Sequence, residues 1–140
     1  MGSLFIIDTN VLVAGLITQD QTSPTACLVD AMLGGGILFI LSPALLSEYG
    51  TVLLRPRITK LHGLSSDEVD VLLTEITGNA IWREPPVISS STPPDPGDTH
   101  LWDLLHSESR AILITGDRLL LANPPDGHKL ITPVDYFLGA

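Results

Sequence analysis

The chain has 140 residues, 44% hydrophobic and 16% charged, a composition that excludes a disordered chain and fits one folded core. Its formal charge of −9, with 7 Lys and Arg against 16 Asp and Glu, excludes a protein whose bare surface attracts nucleic acid. Nucleic acid remains a partner only if the acids gather in a cleft whose field bound cations reverse.

The start, Met1-Gly2-Ser3, carries no basic and long apolar leader, so the expected location is cytoplasmic. Leu4 to Ile7 reads as a short apolar strand that delivers Asp8, and Asn10 to Ile17 as a helix with Leu12, Leu16 and Ile17 on one side. Ser23-Pro24 has the cap-then-proline signal of a second helix. Cys27, Leu28, Ala31 and Met32 share its apolar face, and Gly34-Gly35-Gly36 stops it. Being the sole cysteine, Cys27 can form neither an internal disulfide nor a multi-thiolate site, and burial is its expected role. Ile37 to Leu41 is a continuous apolar run, expected as a strand covered on both faces, and no run comes near the roughly 20 residues of a bilayer span.

Ser42-Pro43 opens a helix to about Leu54, with Glu48 in its second turn, and Arg55-Pro56-Arg57-Ile58 is expected to break it. Ser65 to Glu68 caps a further helix in which Val69, Leu72, Leu73 and Ile76 recur at helical spacing. Residues 55–79 therefore read as a helical hairpin inserted in a single domain spanning 1–140. Ala80 to Trp82 is a short strand, followed by a surface connection through Pro85-Pro86, Ser89-Ser90-Ser91 and Pro93-Pro94. Asp95-Pro96-Gly97-Asp98 starts a helix to about Ser109, and Ala111 to Ile114 is a buried strand. Thr115-Gly116-Asp117 turns into a short helix through Leu121, and a strand at Lys129 to Ile131 and a terminal helical turn finish the chain.

Strands and helices alternate, which predicts an α/β fold: three layers, a central parallel sheet of four to five strands and helices on both faces. Ligands belong at the carboxyl ends of such strands. Asp8 and Asp117 each follow an apolar strand and are expected at that edge, with Glu48 and Asp98 arriving from helices. Four converging carboxylates repel one another unless cations neutralise them, and hard oxygen donors suit Mg²⁺ or Mn²⁺. Paired metals about 3.5 to 4 Å apart activate water and stabilise the leaving oxygen in phosphodiester hydrolysis, without a Ser, Cys or His nucleophile.

Five stretches occur in order along the chain: Asp8-Thr9-Asn10-Val11-Leu12, Ser47-Glu48-Tyr49, Arg55-Pro56, Asp95-Pro96-Gly97-Asp98 and Ile114-Thr115-Gly116-Asp117, followed by Ile131-Thr132-Pro133. In these the chain resembles the PIN-domain ribonucleases, within them the branch assigned as toxins of bacterial and archaeal toxin–antitoxin pairs. The resemblance implies a PIN-like fold and Mg²⁺- or Mn²⁺-dependent cleavage of single-stranded RNA. It implies Asp8, Glu48, Asp98 and Asp117 as catalytic metal-binding acids, with Asn10 and Thr115 in support. It further implies a small antitoxin partner and a homodimer. Where relatives often carry a denser acidic run after the Asp-Pro pair, here Gly97 and Thr99 flank Asp98.

Plainer roles exist for the same residues. Asp95 before Pro96 is a good N-cap, and either it or Asp98 is the acid that meets metal; Asp98 also suits a helix dipole. Asp8 and Asp117 can cap their own helices, Thr115 can bond Asp8 or cap a turn, and Asn10 can serve the helix start. The four histidines show no ligand spacing, although His100 falls near the expected cleft. Arg118, beside Asp117, is the basic residue best placed to touch substrate. Two other functions compete: a catalytically inactive PIN-like interaction module, and a phosphotransfer domain of the haloacid-dehalogenase or receiver type. Against the latter, Asn10 stands where the phosphatase type requires a second Asp, and no suitably placed Lys follows a later strand.

Overall fold

The structure, a computed structural model, describes residues 2–87 and 92–139. The Ser89-Ser90-Ser91 part of the expected surface connection lies outside the described residues. Five strands are present among the described residues: β1 (Leu4–Ile7), β2 (Ile40–Leu41), β3 (Ile81–Trp82), β4 (Ala111–Ile114) and β5 (Lys129–Ile131). They alternate with helices α1 (Thr9–Ile17), α2 (Pro24–Gly34), α3 (Pro43–Leu53), α4 (Pro56–His62) and α5 (Ser66–Asn79). Helices α6 (Thr99–His106), α7 (Arg118–Ala122) and α8 (Pro133–Phe137) complete the described set. None is long and apolar enough to cross a membrane.

All strand pairs are parallel, as the alternating pattern requires. The sheet is divided, however: β1-β4-β5 forms one three-stranded ladder and β2-β3 a two-stranded one. A single parallel bridge, Phe5 to Phe39, and the Phe5 N–H donating to the Leu38 carbonyl at 3.0 Å join them. The expected strand over 37–41 thus shrinks to Ile40–Leu41, and Leu38 is 58% exposed. An apolar run can be followed by sequence, but its ladder extends only as far as a partner reaches, and β3 offers two residues.

Helix starts follow their local signals. Ser23, Ser42 and Ser65 accept N–H bonds at the heads of α2, α3 and α5, and Ser65 and Glu68 form a reciprocal capping box. Gly35, at φ 74°, closes α2 in the left-handed conformation that suits glycine. Pro56 does end α3, but it also occupies the first turn of α4, where its missing N–H is harmless, so the breaker is itself a helix start. The helix expected from Asp95 is a 3-10 turn, Pro96–Asp98, that passes into α6. Cys27 is only partly buried, because Ala26, Leu28, Val29 and Met32 form the inward side of α2; its Sγ lies 3.9 Å from the Gln21 carbonyl oxygen.

The core joins Ile6, Ile7, Leu12, Leu28, Phe39, Leu41, Leu45, Leu104 and Leu113, all fully buried. Helices α1, α2, α3 and α5 pack on one another, while α6 meets β4 and α7 meets β5. Gly15 permits the close α1–α2 crossing: a Cβ there would lie 2.5 Å from both the Thr25 carbonyl oxygen and Val29 Cγ2.

Candidate functional site

The register of β1 and β4 creates the centre of the site. Ile7 pairs with Ile114, so the next residues, Asp8 and Thr115, emerge side by side at the carboxyl edge. The Asp8 N–H donates to the Ile114 carbonyl at 3.0 Å and the Thr115 N–H to the Ile131 carbonyl at 2.9 Å, extending the ladder past the last paired residues. Tyr49, fully buried on α3, donates its hydroxyl to the Ile7 carbonyl at 2.5 Å. That bond ties the helix bearing Glu48 to the strand end bearing Asp8.

Asp8 is 5% exposed, and both of its oxygens are engaged. Oδ1 accepts the Thr9 N–H at 2.8 Å, so Asp8 is indeed the N-cap of α1. Oδ2 accepts the Thr115 hydroxyl at 2.7 Å and the Asn10 side-chain amide at 3.1 Å. Of the alternatives for Thr115, the bond to Asp8 is made, and the same Oγ1 also accepts the Asp117 N–H at 3.0 Å. Asn10 reaches across to accept the Gly116 N–H at 3.0 Å, which binds the head of α1 to the turn after β4.

Around this centre lies a cleft of about 530 Å³. Asp8, Glu48, Asp95, Asp98 and Asp117 line it with Thr9 and Asn10, and Val13, Ala14, Ile17 and Val52 form an apolar wall. All four acids expected to converge are therefore in one depression, and no Lys or Arg is among the described residues lining it. Asp117 caps α7, its Oδ1 accepting N–H bonds from Leu119 at 2.9 Å and Leu120 at 3.3 Å. Asp95 caps the 3-10 turn through the Gly97 N–H at 2.9 Å, and Asp98 makes no side-chain cap bond at all. Arg118 lies exposed at the start of α7 and is not one of the lining residues.

The electrostatics record how poorly these charges tolerate one another. Burial pushes the Asp8 carboxyl above its usual range; the Thr115 and Thr9 bonds oppose this, and Glu48 and Asp117 add to it. Asp98 is raised to about 6, first by burial and then by Asp8, Asp95 and Glu48, with a partial offset from His100. Tyr49 is held well above its normal value by burial and then by Asp8 and Glu48. Even so, no group of three or more His, Cys, Asp or Glu among the described residues is gathered closely enough to cage a metal ion. The hydrogen bonds explain the spacing: Asp8, Asp95 and Asp117 are each drawn toward backbone or hydroxyl donors, and uncompensated like charges resist closer approach.

Sequence reasoning gave no role to Thr9 or Tyr49, and placed His100 near the cleft without a partner. Thr9, 6% exposed, donates its hydroxyl to Glu48 Oε2. His100 places Nε2 3.6 Å from the same oxygen, and Tyr49 makes the bond to Ile7 described above. Thr9 carried one readable signal: with Asp8 already the cap, a hydroxyl at the first position of the helix is free for another partner.

A parallel α/β fold with an acid-lined cleft at the carboxyl edge of its strands defines a class of proteins whose ligand chemistry is cationic or cation-mediated. A PIN domain family model matches residues 5–119, and the chain belongs to the PIN-domain family. Its members are nucleases that act on nucleic acid and generally use divalent metals. Comparison with curated proteins finds no match.

Proposed function

We propose that this protein is a divalent-metal-dependent endoribonuclease that hydrolyses phosphodiester bonds in single-stranded RNA, and that it is the toxin of a toxin–antitoxin pair. The observation that carries the reading is the cleft, where acids from separate elements raise one another's protonation with only a partial offset from His100 and no Lys or Arg among the described lining residues. Such a donor set fits a hard dication, Mg²⁺ or Mn²⁺, with Asp8, Glu48, Asp98 and Asp117 as the residues that would hold it. When bound, the ion supplies a positive field for phosphate and Lewis acidity for hydrolysis.

The chain's own part is orientation. Thr115 and Asn10 fix Asp8 Oδ2, and the Thr9 N–H fixes Oδ1, so the buried carboxylate holds one pose. Asp117 is held by its cap, while Asp98, free of cap bonds, is the acid most able to adjust. The apolar wall of Val13, Ala14, Ile17 and Val52 offers surface to an unstacked base, which a duplex keeps inside its stack; this supports a single-stranded substrate. Arg118 is read as a phosphate contact at the rim. Residues 1–140 are read as one domain in which 55–79 is an inserted helical hairpin. The acidic cleft suits a small antitoxin that inserts a basic side chain among the carboxylates, and a homodimer is the expected assembly.

One observation favours the second reading, an inactive interaction module: the acids share a cleft without forming a ready-made cage among the described residues. Incubation with labelled single-stranded RNA separates the two. The nuclease predicts Mn²⁺-dependent cleavage that EDTA stops and Asp8→Asn abolishes; cleavage indifferent to Asp8→Asn refutes it. A folded protein that neither cleaves RNA nor binds Mn²⁺ is the module.

A further inference from the structure

Glu48 differs from the other three acids in how it is held. Asp8 accepts the Thr9 N–H at the start of α1 together with the Thr115 hydroxyl and the Asn10 amide, and Asp117 accepts two backbone N–H groups at the start of α7. Glu48 lies in the second turn of α3, away from any helix end, and has a long side chain with several rotatable bonds. Its hydrogen-bond partner in the structure is the Thr9 hydroxyl, 39 residues away in the chain, which donates to Oε2. Thr9 is suited to hold it, being 6% exposed and restricted at χ1 by its branched Cβ. Asp8 already provides the cap of α1, so the Thr9 hydroxyl is not required locally. His100 Nε2, 3.6 Å away, approaches the same Oε2. Both neighbours converge on one oxygen, and no hydrogen bond within the described residues engages Oε1.

We infer that Thr9 is a positioning residue for the acidic site: its hydroxyl immobilises Glu48 through Oε2 so that Oε1 serves a divalent cation. The inference rests on the metal-dependent reading above. Fixing a flexible carboxylate before the ion arrives lowers the ordering cost of binding, and loss of such an outer partner commonly weakens metal affinity about 10- to 100-fold.

The test is calorimetric titration of MnCl₂ into the metal-free protein, with melting of each apo-protein to establish that it is folded. Thr9→Val, which keeps the branched shape and removes the donor, should weaken Mn²⁺ binding about 10- to 100-fold. Thr9→Ser, which restores a hydroxyl, should return the wild-type affinity, and Thr9→Ala replaces Thr9→Val if that variant does not fold. On a Glu48→Gln background, Thr9→Val should cause no comparable further loss. Unchanged affinity in Thr9→Val while Glu48→Gln weakens binding overturns the positioning role and leaves the proposed function standing. An equal further loss on the Glu48→Gln background also overturns it. If neither Glu48→Gln nor Asp8→Asn alters Mn²⁺ binding, the metal-dependent reading falls, and the role of Thr9 with it.

Discussion

Replacing Asp98 by Asn should make the metal-free protein more stable at neutral pH. The Asp98 carboxyl, carried from 3.8 to about 6 by burial and by Asp8, Asp95 and Glu48, ionises in the folded protein only against opposition. Between these two values the folded state holds the proton that the unfolded state has released. Stability therefore falls as pH rises through that window, and the full cost is present above about pH 6. For a fully buried group the cost would approach about 3 kcal/mol, but Asp98 is partly exposed and solvent screening reduces it to about 1 kcal/mol. Asp98 accepts no cap bond, so Asn sacrifices none. The expected result at pH 7 in EDTA is a melting temperature about 3 °C above wild type, with the gain vanishing below about pH 4. Thermal melts of both proteins across that range measure it directly. A gain that persists unchanged into acid, or a loss at pH 7, would refute the claim that burial and neighbouring negative charge oppose ionisation of Asp98 in the metal-free cleft.

Two further perturbations probe the scaffold of the site. Thr115→Val removes the 2.7 Å bond to Asp8 and the acceptor of the Asp117 N–H, and should cost about 1–3 kcal/mol in urea unfolding. Since the Thr115 bond lowers the Asp8 carboxyl, its titration followed by NMR should move to higher pH in the variant; an unmoved midpoint contradicts the assignment. Gly15→Ala introduces a methyl 2.5 Å from the Thr25 carbonyl oxygen and Val29 Cγ2 and should destabilise by about 1–3 kcal/mol despite alanine's better helix propensity. A rise in the urea midpoint would mean that α1 and α2 part without cost.

Much of the fold was legible because its signals are local. The serine caps before Pro24 and Pro43, the capping box at Ser65 and the apolar run ending in Asp8 each act within a few residues, and their elements stand where expected. Strand extent was not legible: whether Ile37 and Leu38 join a ladder depends on how far β1 and β3 reach, which no local pattern states. The face of α2 also escaped, because Val29 is turned inward where α2 crosses α1 at Gly15, a tertiary contact that the residue pattern around Cys27 does not state.

The same division holds at the cleft. Residue chemistry alone supplied the four carboxylates, their attachment to strand ends and helix starts, and the need for a counter-charge, since these follow from side-chain type and short-range spacing. Which donor holds which oxygen was decided only when strands 107 residues apart in sequence aligned Asp8 with Thr115, and when α3 brought Glu48 against Thr9. Hydrogen bonds reach about 3 Å and depend on direction, so they are written by the packed backbone and not by the order of residues along it.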